Sequence, residues 1–148
     1  MDDVTPAAGA LPDFNIFGWP WTGLVTILTL VLYQYFAVRV GHARKKYQID
    51  PPTMTGNPDF ERRVRIHLNT LEQLIIFLPL LWIAALSTRD DIAAAIGTLW
   101  PISRIWYAID YTKDPKTRHK GFLMGVLVLL ALLALCLVQL VRSVFVWQ

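Results

Sequence analysis

Phe60-Glu61-Arg62-Arg63-Val64-Arg65-Ile66-His67-Leu68-Asn69-Thr70-Leu71-Glu72 is followed, after Gln73, by Leu74-Ile75-Ile76-Phe77-Leu78-Pro79-Leu80-Leu81-Trp82. This stretch decides the fold. Its second half is wholly apolar, and its first half carries charges at helical spacing. Arg62, Arg65, Asn69 and Glu72 are separated by 3, 4 and 3 residues. At about 100° per residue those spacings hold all four on one narrow face of a helix. Ionisable groups at the mouth of a membrane helix are costly, and they persist where they pair or hold a polar ligand. The reading is thus a membrane-spanning helix with a functional stripe at one end.

The rest of the chain supports a membrane protein. Of 148 residues, 55% are hydrophobic, and they are arranged in runs that a soluble domain would not carry. Gly121 to Val138 contains no charged residue, and Leu24 to Val38 is a second such run. Crossing the hydrocarbon takes about 20 helical residues. Four spans are expected, at 16–41, 59–87, 91–111 and 115–146, in a single all-α domain over 1–148. The third is the weakest, because Gly97, Pro101 and Arg104 dilute it. Pro79 is expected to kink the second. The start Met1-Asp2-Asp3 is acidic where the n-region of a cleavable signal is basic, so the first span is expected to be retained.

The net charge of +3 conceals an asymmetry. Arg39, Arg44, Lys45, Lys46, Arg62, Arg63 and Arg65 flank the first loop; Arg104, Lys113, Lys116, Arg118 and Lys120 flank the third. Only Arg89 and Arg142 remain for the other end. The positive-inside rule then places both basic loops in the cytoplasm and both termini outside. These clusters hug spans and form no separate basic domain, so nucleic acid is not an expected partner. The single cysteine, Cys136, lies deep in the last apolar run. It reads as a packing residue, and it can build neither an internal disulfide nor a metal cluster.

Local signals set the boundaries. Pro51-Pro52 and Gly56-Asn57-Pro58 make 48–58 a loop. Asp114-Pro115 reads as an N-cap followed by proline at the first helical position. Arg118 would then lie in the first turn of the fourth helix, where unpaired backbone N–H groups favour an anion. Arg104, Tyr107 and Tyr111 share a face of the third span. On a plain reading Arg104 snorkels to the interface, and Trp100 and Trp106 join an aromatic belt. His67 points about 160° from Asn69, so the second helix is polar on two faces and needs partners on both sides. That argues for an oligomer with this helix at its centre. Three helix ends thereby gather guanidiniums, a carboxylate, an amide and two phenols. Arginine grips carboxylates in a bidentate fork, and Glu72 can pair with an ammonium. The implied ligand is small, with two carboxylates and an amine, and its co-substrate is lipid-soluble.

These residues resemble the MAPEG family, whose members include microsomal glutathione transferases, leukotriene C4 synthase and microsomal prostaglandin E synthase. The resemblance runs from about Phe36 to Lys120. It rests on Pro51-Pro52-x-x-Thr55-Gly56-x-Pro58-x-Phe60-Glu61-Arg62, on Arg65-x-His67-x-Asn69-x-x-Glu72, and on Arg104-x-x-Tyr107-x-x-x-Tyr111 with a basic turn ending in Arg118. It implies a homotrimer of four-helix subunits with glutathione, a co-substrate, bound between neighbours at the cytoplasmic side. Glutathione contacts then map onto Arg65, Asn69, Glu72, Tyr107, Tyr111 and Arg118 of one subunit, with Arg44 and His67 reaching in from the next. Arg118 matches the residue that activates the thiol, and no metal is implied. Gln73 stands where the leukotriene branch has tyrosine, and Lys45 replaces an arginine of that branch, so leukotriene synthesis is not expected.

The expected activity is conjugation of glutathione to hydrophobic electrophiles dissolved in the membrane, with reduction of lipid hydroperoxides as a companion reaction. The alternatives are a glutathione-dependent lipid isomerase of the prostaglandin type and a non-catalytic lipid-binding protein of the same fold. Short loops and the lack of a retention tail point to a bacterial inner membrane, with the endoplasmic reticulum as the eukaryotic counterpart.

Overall fold

The computed structural model describes residues 18–146. The acidic start and the first residues of the expected 16–41 span lie outside them. Within them the chain forms α1 (Pro20–Tyr47), α2 (Pro58–Ser87), α3 (Asp90–Lys113) and α4 (His119–Val146). All four are long and apolar enough to cross a membrane, and α3 is the least apolar. At 1.5 Å per residue, helices of 24 to 30 residues run about 36–45 Å, against roughly 30 Å of hydrocarbon. The protein is an all-α, multi-pass membrane bundle.

Side-chain caps hold the starts of α1 and α2. Asn57 caps α2 with its side-chain oxygen, which accepts from Asp59 N and Phe60 N at 2.9 and 3.4 Å. Gly56 precedes it at φ +122°, a conformation that a side chain would strain, and its N–H donates to Glu61 Oε1 at 3.0 Å. Pro20 occupies the first turn of α1, and the cap comes from another helix: Asp90 accepts from Trp21 N and Thr22 N, both at 2.9 Å. One carboxylate thus ties the start of α3 to the start of α1.

The boundaries differ from expectation at two places. α1 continues to Tyr47, past the expected span end at 41, and carries Arg44, Lys45 and Lys46 on its last turn; cations there suit the negative end of the helix. α4 starts at His119, not at 115. Asp114 instead ends α3, and its side chain accepts Lys116 N at 2.9 Å in a turn. Arg118 therefore precedes α4, with its carbonyl accepting Phe122 N at 3.2 Å. α2 continues unbroken past Pro79.

The core lies between α2, α3 and α4, around Phe77, Leu81, Trp100 and Leu132. Trp100 is fully buried and stacks on Phe77 at 4.4 Å, so it is a core residue and not part of a belt; Trp106 is exposed. Cys136 packs in the same cluster. The outward surface is apolar, with Ile75 at 67% and Phe145 at 71% exposure, as a lipid-facing surface requires. Polar groups inside are tied across helices: Trp82 Nε1 donates to Thr26 Oγ1, which donates to Thr22 O.

Candidate functional site

The chain direction puts the end of α1, the start of α2, the end of α3 and the start of α4 at one end of the bundle. That end holds both basic loops. Glycines on α4 set how closely it meets α3. A Cβ on Gly121 would stand 2.5 Å from Tyr107 N, and one on Gly125 2.6 Å from the Arg104 guanidinium. Only glycine admits α3 at this distance, and the approach brings Tyr107 and Tyr111 against Arg118.

From this packing follows a line of polar groups from α2 and α3 to the turn that precedes α4. Asn69 Nδ2 on α2 donates to Tyr107 Oη on α3 at 2.6 Å. The rings of Tyr107 and Tyr111 lie 5.5 Å apart. The Arg118 guanidinium stands 5.2 Å from the centre of the Tyr111 ring. Both tyrosines are buried, and Arg118 is partly exposed. Beside the line is a cavity of about 490 Å³, walled by Thr55, Glu61, Arg62, Arg65 and Tyr111. Arg62 closes one side, with its Nη1 donating to Thr112 O at 3.2 Å and pairing with Asp59 at 3.5 Å.

The structure thus brings Arg65, Asn69, Tyr107, Tyr111 and Arg118 together. It does not bring Glu72 to the cavity: that carboxylate is exposed on α2, at the fifteenth of the helix's thirty positions. Arg44 is engaged within its own chain, donating to Thr53 O at 2.7 Å and covering the Phe60 ring at 5.0 Å. His67 is too, stacked on Tyr33 of α1 at 4.7 Å. The two-faced second helix therefore finds partners on both sides inside one chain, on Tyr107 and on Tyr33. Two polar faces on α2 thus give no ground for an oligomer. Glu72 raises the question independently, because an exposed carboxylate halfway along a spanning helix has no place against lipid.

Arg104 overturns the snorkelling reading. It is 0% exposed, and none of its three side-chain nitrogens has a hydrogen-bond partner among the described residues. Aromatic faces surround it instead: Tyr107 at 4.9 Å, Trp100 at 5.6 Å and Phe122 at 6.0 Å. The signal was present in the Gly121-x-x-x-Gly125 spacing, which makes room beside it.

A four-span bundle with a polar line at its basic end defines a class of membrane protein, and comparison with known sequences narrows it. The chain belongs to the MAPEG family: the model of that family matches residues 22–138. Over 105 residues the chain is 46% identical to an uncharacterized protein of Synechocystis sp., covering 71% of this chain and 77% of that one. It is 39% identical over 111 residues to microsomal glutathione S-transferase 2 of Homo sapiens, covering 74% and 76%. It is 33% identical over 111 residues to leukotriene C4 synthase of Cavia porcellus, covering 75% and 74%.

Proposed function

We propose that this protein is a glutathione transferase that conjugates glutathione to hydrophobic electrophiles in the membrane and reduces lipid hydroperoxides. The observation that carries the reading is the line Asn69–Tyr107–Tyr111–Arg118 beside the Arg65 cavity, in a chain similar to a microsomal glutathione S-transferase. Arg65 offers a fork for a glutathione carboxylate, and Asn69 an amide for its peptide backbone. Glu72 pairs with the ammonium. Arg118 stabilises the thiolate, assisted by the unpaired N–H groups at the start of α4 and by the phenols of Tyr107 and Tyr111.

A free glutathione thiol should titrate near the cysteine value, about 8.5, and a cation beside it lowers that value. The thiolate attacks an electrophilic carbon and displaces its leaving group. With a hydroperoxide, two glutathiones are oxidised to the disulfide while the peroxide is reduced to an alcohol and water. The enzyme's gain is proximity, since it joins a water-soluble to a lipid-soluble reactant.

The working unit in this proposal is a homotrimer with the site at the cytoplasmic side. Glu72 supports it. Fourteen residues from the start of α2 place it about 21 Å along the helix, exposed on the single chain. A neighbouring copy that covers this face brings Glu72 into a shared site, and Arg44 and His67 contribute from the neighbour.

The test is turnover by the purified protein in detergent, with glutathione against a model aryl halide and a lipid hydroperoxide. Conjugation with the first and alcohol formation with the second are expected. No turnover with either, together with no binding of glutathione, would overturn the reading.

A further inference from the structure

A second cavity, of about 420 Å³, opens on the other side of α3 from the tyrosines. Ile105 and Ile109 line it, each two residues from Tyr107 or Tyr111 and so about 160° around the helix. Leu32 and Phe36 of α1 and Ile66 of α2 complete an apolar trough. Its volume is that of a small-molecule site, roughly 300–1,000 Å³.

The rim has the opposite character. Three cations line it, each from a different helix: Arg39 from α1, Arg63 from α2 and Lys113 from α3. Arg39 is held in place, with Nη1 donating to Tyr35 Oη at 2.7 Å and its guanidinium 5.6 Å from the same ring. Neither Arg63 nor Lys113 forms an ion pair among the described residues. All three lie at the basic end of the bundle.

An apolar trough that ends in three like charges fits an amphipathic anion. Basic pockets between membrane helices bind anionic headgroups for this reason. A zwitterionic headgroup brings its own cation and gains less. We propose that this groove is a binding site for one anionic phospholipid, with an acyl chain against Phe36, Ile66 and Ile105 and the phosphate among Arg39, Arg63 and Lys113. The site is separate from the one assigned to glutathione and does not depend on it.

Native mass spectrometry of the full chain, released from micelles doped with equal phosphatidylglycerol and phosphatidylcholine, tests this. Phosphatidylglycerol should be retained in preference, at one per chain. Arg63→Gln and Lys113→Gln should each lower its occupancy about five-fold, and together roughly twenty-five-fold. Ile109 is 48% exposed, so Ile109→Trp should fold normally, fill the groove and abolish retention with all three cations intact. An unchanged preference in the double variant overturns the proposal. So does palmitate binding as well as phosphatidylglycerol with the same variant dependence, which would make the groove a fatty-acid site. A loss of oligomer mass in Ile109→Trp with lipid retained would assign the groove to a second copy, and would also overturn it.

Discussion

Asn69 and Arg104 show what a single residue does in this bundle. Asn69 holds Tyr107 by one short hydrogen bond between α2 and α3. Asn69→Ala leaves a buried phenol without its donor and should cost about 1–3 kcal/mol, read as a lower melting temperature in detergent. Among the described residues, Arg104 is a buried charge held only by ring faces. The effective penalty for burying an ion is several kcal/mol, whereas a desolvated cation–π contact returns about 2 kcal/mol. Arg104→Met should therefore melt at the same temperature or higher. On the proposed function, glutathione turnover should nevertheless fall, because the charge lies directly behind the Tyr107 ring. A large drop in melting temperature would show a structural role instead. Spacing alone identified the Arg62–Glu72 stripe and the Arg104–Tyr107–Tyr111 face. It could not show which of those side chains would be buried: Glu72 ended outside and Arg104 inside, since that depends on which helix packs on which face.

At the scale of elements, the two determinants are a cap and a close approach. Asp90 caps α1 from α3, so Asp90→Ala should cost about 0.5–2 kcal/mol, measurable by thermal unfolding in detergent. Gly121 packs on the backbone of α3, which cannot move aside as a side chain can. Gly121→Ala should cost about 1–3 kcal/mol by overpacking. It should also lower glutathione turnover, because it parts Tyr111 from Arg118. The four helices were legible because apolar runs of this length leave few alternatives. Their ends were less so. Asp-Pro at 114–115 is a valid helix-start signal, but an aspartate capping a turn uses the same chemistry, and here the turn forms. The apolar run that marks the first span stops near position 41, yet cations at a helix C-terminus are favoured and α1 continues through Arg44, Lys45 and Lys46.

For the whole molecule the proposed trimer turns on the open surface of α2. A carboxylate halfway along a spanning helix, exposed on the single chain, is the observation that supports the proposed trimer. The mass of the detergent-solubilised particle should correspond to three copies. Mixing His67→Ala subunits with Arg118→Ala subunits should restore part of the activity, because some mixed interfaces hold one intact site. A monodisperse monomer, or no restoration at all, would reject the shared site. The sequence pointed to an oligomer through His67, and the stacking of His67 on Tyr33 removes that step while Glu72 supplies another.

The central claim is that glutathione is held as its thiolate beside Arg118. The direct measurement is the ultraviolet thiolate absorbance on titrating glutathione into the purified protein at neutral pH, for wild type, Arg118→Lys and Arg118→Ala. A saturable thiolate signal is expected in wild type and a weaker one with lysine, whose point charge lacks the planar fork. None is expected with alanine, although glutathione still binds through Arg65, Asn69 and Glu72. A wild-type protein that binds glutathione without a thiolate signal, or an Arg118→Ala protein whose signal is unchanged, would contradict it.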